Sequence, residues 1–237
     1  MLDVHAPHKR IRSVGEFFLH LFTISVGLLI ATQIESCVEW RTHLHIAAEA
    51  REALHKEITD NLKKLRDAQP KQKRWKAYVN DSVVALQRVI DHPNDPAAQP
   101  HSIAVGCVTA GDSLVHTAWK TAQSTGALNY MPYEEASAYV SIYQAEDRLL
   151  ASELLPCDDA AAIFGILSQS HTDLEKDWSF RKGSKITREE AAAIANKLGE
   201  TRFHLAVSGL DLEESLEFNA AFVEGRKPRS NFNGSVD

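Results

Sequence analysis

The chain has 237 residues, 44% of them hydrophobic and 24% charged, with 26 Lys and Arg against 32 Asp and Glu. That length can bury a sizeable core in one or two domains, and near-average charge with 11 Gly and 8 Pro excludes a low-complexity or disordered chain. A formal net charge of −6 gives no bulk attraction for nucleic acid, and a mean hydropathy of −0.26 excludes a polytopic membrane protein.

The average conceals one apolar stretch. Between Glu16 and Glu35 lie 18 residues without a formal charge, Phe17 to Ile34. As a helix rising about 1.5 Å per residue they cover roughly 27 Å, close to the ~30 Å of a bilayer's hydrocarbon. His20, Thr32 and Gln33 sit near the ends, within reach of headgroups. A buried core helix would carry polar residues at a 3.6 period, and this stretch is apolar nearly all round. A cleaved signal peptide is the other alternative, with Lys9, Arg10 and Arg12 as its basic region. No A-x-A site follows, and Ile34-Glu35-Ser36-Cys37 is a poor lipoprotein box because Glu stands inside it. The reading is an uncleaved transmembrane helix over 16–36, preceded by a cytoplasmic tail over 1–15.

Lys9, Arg10 and Arg12 flank the N-terminal side, against Arg41 and Arg51 on the other. The Lys/Arg bias therefore places the N-terminus inside and residues 37–225 outside the cytoplasm. In a bacterial inner membrane that domain is periplasmic. Thr23, Gly27 and Ala31 recur every four residues and would let two helix backbones approach closely. They are the candidate face of a homo-oligomer.

Residues 38–68 contain neither Pro nor Gly and carry a narrow stripe at Leu44, Ala47, Leu54, Ile58 and Leu65, interrupted by Arg51 and Asn61. The pattern predicts a helix continuing from the membrane and ended by Pro70. A second helix from Lys71 to Ile90, with Trp75, Val79, Val83, Leu86 and Ile90 on one face, completes an antiparallel hairpin. Three Pro between Asp91 and Pro100 make a loop. Ser102 to Val108 is a short extended segment. Asp112 or Ser113 opens the next helix and Gly126 closes it, with Val115, Trp119 and Ala122 on its buried face. Pro132, Glu134 and Glu135 start a helix running to Leu155, where Pro156 interrupts.

Asp158 and Asp159 begin another helix, extending to about Lys176. Thr187-Arg188-Glu189-Glu190 has the form of a capping box, opening a helical stretch that Gly209 breaks before Leu212 to Val223. The tail over 226–237 is polar and expected to be disordered. The predicted class is all-α: a transmembrane helix, a long helical hairpin and an irregular helical bundle.

Eleven His raise the question of a metal site. His43 and His45 face different sides of a helix, and Glu52-x-x-His55 is half of a di-iron carboxylate signature without its second copy. Glu200 and His204 form an isolated pair. Solvated surface histidines are the preferred reading, with no metal and no cofactor. No G-x-S-x-G, C-x-x-C or Gly-rich phosphate loop is present, so no catalytic residues are assigned. Cys107 and Cys157 would pair if the domain is exported, the alternative being two buried free thiols. Cys37 stands at the membrane edge. His116, Trp119, Tyr130 and Tyr133 either line a ligand pocket or are core and turn residues.

Two segments together carry a resemblance. Gly15-Glu16-Phe17 through Val26-Gly27-Leu28-Leu29-Ile30-Ala31-Thr32-Gln33-Ile34 to Glu39-Trp40-Arg41 resembles the anchor of a bacterial family of unknown function with one N-terminal membrane span. Ala118-Trp119, Gly126-Ala127-Leu128, Met131 and Tyr139 to Tyr143 are similar to a W…G-x-L…Y segment downstream in such proteins. Where that family has an Asn-rich patch, this chain has Glu35-Ser36-Cys37-Val38. The resemblance implies the anchored architecture and no activity. The expectation is a non-enzymatic scaffold, accessory or assembly protein acting through a protein partner or homo-oligomer, with the lipid bilayer as its other contact. The alternative is a periplasmic ligand-binding or sensory domain with its pocket near Trp119.

Overall fold

The computed structural model describes residues 14–109, 114–170 and 185–229. Four α-helices account for most of them: α1 Val14–Asp91, α2 Thr117–Ser124, α3 Tyr133–Ser170 and α4 Arg188–Val223. Short 3-10 turns at Pro96–Ala98 and Ala127–Tyr130 complete the described secondary structure, which holds no strand. The all-α class is as predicted. The chain divides into two compact units, residues 1–49 and 50–237, and α1 contributes to both.

In the first unit the apolar side chains from Phe17 to Ile34 are almost all exposed. The hydroxyls among them turn back onto the helix: Thr23 donates to the Leu19 carbonyl (2.8 Å), Ser25 to Leu21 (2.8 Å) and Thr32 to Leu29 (3.0 Å). Among the described residues this is one helix long and apolar enough to cross a membrane. Thr23, Gly27 and Ala31 are exposed along it, and nothing lies within 4 Å of where a Gly27 Cβ would be.

The second unit is built on three long helices. Arg51 pairs with Glu135, Asn61 with Glu146 and Glu57 with Tyr143, at separations of 84, 85 and 86 residues. A nearly constant separation means that α1 and α3 run parallel. Arg148 meets Glu214 and Asp159 meets His204, so α4 runs antiparallel to α3. Gln72–Ser208 and His55–Phe222 place it antiparallel to α1 as well. A parallel pair needs a long crossover, and residues 92–132 supply it.

Two apolar clusters fill the interior. Leu65 and Ala68 of α1 meet Leu149 of α3 and Leu212 of α4. Further along, Val79, Leu86 and Val89 meet Ile163 and Leu167, with Ile194, Leu198 and Leu205 of α4 and Ile103 and Ala104 of the crossover. Ser82 ties that crossover down, its Oγ accepting from the Ala104 N–H at 2.8 Å.

The predicted hairpin at Gln69-Pro70 does not form, because α1 passes through Pro70. Pro156 likewise lies inside α3 and Gly209 inside α4. A proline in a helix interior costs about 3 kcal/mol. Burial of Val79, Leu86 and Val89 beyond it is worth roughly 2 kcal/mol each, which outweighs that cost. Pro70 and Arg66, whose carbonyl lacks the i+4 N–H that a proline cannot supply, are both exposed residues. Pro156 stands 86 residues after Pro70, the same offset as Tyr143 from Glu57. The two prolines are therefore level in the bundle, beside Ser208 and Gly209, which the Gln72 side chain approaches.

The other boundaries follow local chemistry. Thr187 and Glu190 make the predicted capping box of α4. Gly126, at φ +70°, ends α2 in the left-handed conformation that favours glycine. Segment 102–108 is irregular rather than paired, with Ile103 and Ala104 buried. Asp112 and Ser113, the expected end near Lys176 and the tail from 230 lie outside the described residues.

Candidate functional site

The densest polar chemistry lies where the start of α2 docks against α1 and α3. Asn61, a position that breaks the apolar stripe of α1, is fully buried. Its side chain exchanges both groups with one residue of the crossover: the Val115 N–H donates to Oδ1 at 3.0 Å, and Nδ2 donates to the Val115 carbonyl at 2.9 Å. Nδ2 also reaches the buried Glu146 carboxylate at 3.1 and 3.3 Å. Gln99 pairs with Ile186 in the same two-bond manner, at 2.9 and 3.2 Å.

One turn before Asn61, Glu57 accepts three hydrogen bonds. The Ala118 N–H donates to Oε2 at 2.7 Å, the Trp119 N–H to Oε1 at 3.1 Å and the Tyr143 hydroxyl to Oε1 at 2.7 Å. The N-cap residue of α2, His116, makes no side-chain cap. A carboxylate on another helix does that work, satisfying N–H groups that would otherwise be orphaned and favouring the positive end of the helix dipole. This explains why α2 begins at Thr117 and Val115 lies before the helix rather than on its buried face.

His116 instead turns to α3. Its Nε2 lies 2.7 Å from Glu146 Oε2 and its Nδ1 3.4 Å from Asp147 Oδ1. The hydrogen bond to Glu146 raises the imidazole pKa above its ordinary value, against the opposing effect of burial, with the charges of Glu146, Asp147 and Glu57 adding to the rise. Tyr143 is pushed well up, first by burial and then by its bond to Glu57. Tyr139 is pushed up to about 12, mainly by burial. Trp119 stacks on Tyr143 with centroids 4.7 Å apart and planes 8° from parallel, and His116 meets the same ring edge-on at 5.2 Å.

Of the four aromatic and histidine residues considered for a pocket, His116 and Trp119 belong to this cluster. Tyr130 is 40% exposed and Tyr133 84%. Tyr143 occupies a face of Trp119, so the contact there is ring on ring. The expectation that histidines are solvated fails for two of them: His116 is mostly buried, and His204 holds Asp159 at 2.7 Å. Both are placed by carboxylates on α3. No group of three or more His, Cys, Asp and Glu side chains among the described residues has the arrangement of a metal site. Cys107 and Cys157 are joined by a disulfide that ties the crossover to α3 beside Pro156, and Cys37 is free and exposed.

Glu57 and Glu146 were not singled out from the sequence; Asn61 stood out only as an interruption of an apolar stripe, and Tyr143 only as part of the W…G-x-L…Y segment. Chemically the cluster is a clamp: the Glu57 carboxylate and the Asn61 carboxamide hold one segment of backbone, the Glu146 carboxylate holds Asn61 and His116, and a single imidazole can take up or release a proton.

The fold and cluster thus define an all-α protein that has, among the described residues, one helix able to cross a membrane by length and composition. No family model matches the chain, and no curated protein or solved structure matches it.

Proposed function

We propose that this chain is a single-pass protein of a bacterial inner membrane, with its N-terminus in the cytoplasm and its helical domain in the periplasm. It acts there without catalysis, as a scaffold, accessory or assembly subunit working through protein contacts. The observation that carries the tether is the exposed apolar helix from Phe17 to Ile34, whose hydroxyls bond its own carbonyls. Lipid offers no hydrogen-bond partners, so polar groups within a span must be satisfied internally. The Cys107–Cys157 disulfide supports an oxidising compartment, and the likeness of the anchor to the bacterial single-span family supports the same architecture.

Contact as the mode of action draws support from α4. Phe203 and Leu210, seven residues apart on one face, are 68% and 61% exposed, with Val207 between them. Large apolar side chains aligned on a domain surface suit a protein interface. The test is native mass in mild detergent. The wild-type chain is expected in a complex heavier than its 26.3 kDa, and Phe203→Asp with Leu210→Asp should reduce that mass while leaving the fold intact. A wild-type protein running at monomer mass contradicts the contact role.

A further inference from the structure

We propose that His116 is a pH-sensitive latch, which holds the Leu114–Trp119 segment against α1 and α3 when protonated and loosens it when neutral. Both ring nitrogens face carboxylates, Nε2 toward Glu146 at 2.7 Å and Nδ1 toward Asp147 at 3.4 Å. Neutral imidazole has one N–H and no charge, so only the imidazolium presents an N–H and a positive charge to both carboxylates. The titratable groups facing the ring are Glu57 from α1 and Tyr143, Glu146 and Asp147 from α3. None of the four is cationic. Glu146 is fully buried, and the Asn61 amide it accepts from is shared with the Val115 carbonyl. The proton on His116 is thus what balances a buried carboxylate next to a second one, Glu57.

The direction follows from linkage. The imidazole pKa is raised in the folded protein, so the pairing contributes its full stability below the ordinary histidine value of about 6.5. That contribution is lost as pH rises through the raised value. Loss of the proton leaves Asp147 without its cationic partner and adds net negative charge to the cluster. The segment is then held by the Asn61–Val115 pairing, the Glu57 bonds to the Ala118 and Trp119 N–H groups and the stacking of Trp119 on Tyr143, without the imidazolium, and it opens more often.

The test is amide hydrogen exchange of the full-length chain in nanodiscs, corrected for the chemical exchange rate, between pH 6 and pH 9. The Ala118 and Trp119 amides, which donate to Glu57, are expected to lose protection by roughly tenfold across that range. The buried middle of α4 should not change. His116→Gln should remove the pH dependence and show the weaker protection throughout. Asp147 is exposed, so Asp147→Asn will fold and should move the transition to lower pH. Constant protection in the wild type, an unchanged profile in His116→Gln, or an unmoved transition in Asp147→Asn would overturn the latch.

Discussion

Asn61 on α1 uses its side-chain amide as a substitute peptide group for Val115, taking the Val115 N–H and returning a donor to the Val115 carbonyl. A helix thereby binds an irregular segment without a β-ladder. Asn61 is fully buried while Val115 is partly exposed, so the pairing anchors the crossover at the edge of the bundle.

Asn61→Leu should accordingly destabilise the domain by about 1–3 kcal/mol, since it removes both partners of the Val115 backbone and takes a donor from the fully buried Glu146. Urea unfolding of the full chain in detergent measures this. A loss below about 0.5 kcal/mol, the level of an ordinary surface change, contradicts the role assigned to Asn61.

Pro70 breaks the hydrogen-bond ladder of α1 at an exposed site. Pro70→Ala restores a donor to the Arg66 carbonyl and relieves a helix-interior penalty of about 3 kcal/mol. Greater freedom of the unfolded chain offsets up to about 1 kcal/mol of that. A net gain of about 1–2 kcal/mol is expected in the same unfolding experiment, and a loss would mean that the proline is needed at that level of the bundle.

The Cys107–Cys157 bond closes a loop of 50 residues. Chain-entropy reasoning gives it about 4 kcal/mol. Cys107→Ser with Cys157→Ser should lower stability by an amount of that order, and non-reducing gels should show faster migration of the wild type than of the variant. Identical mobility and stability would mean that the bond is absent from the native protein.

At the end of α4, Arg226 forks onto Glu217 while the Arg229 N–H donates to the same carboxylate. The Arg226 hydrogen bond first, then that of Arg229, lower the Glu217 pKa to about 2. A depressed carboxylate stabilises the fold above its unfolded value, and that contribution disappears as pH falls through about 2. Carboxyl-carbon NMR should find Glu217 titrating near there. A midpoint in the usual glutamate range, about 4.3, contradicts the clasp.

The helical class, the capping box at Thr187 and the left-handed turn at Gly126 could be read from the sequence because each depends on neighbours within a few residues. The failures share one cause. Pro70, Pro156 and Gly209 read locally as breaks, yet all three lie inside helices, where apolar burial on either side outweighs the local penalty. The polar cluster was hidden for a related reason. Glu57 finds Tyr143 and Asn61 finds Glu146 across a parallel register of 85 or 86 residues, and no local periodicity encodes that pairing. Trp119 and Ala122 were recognised as buried, but the carboxylate capping their helix comes from α1.

The tether with its domain outside the cytoplasm is tested most directly by paired fusions after Asp237, expressed with the full chain in a Gram-negative cell. The account predicts an active alkaline phosphatase fusion, which needs the oxidising periplasm to form its disulfides, and a dark fusion of a fluorescent protein that matures only in the cytoplasm. A fluorescent fusion together with an inactive phosphatase would contradict it.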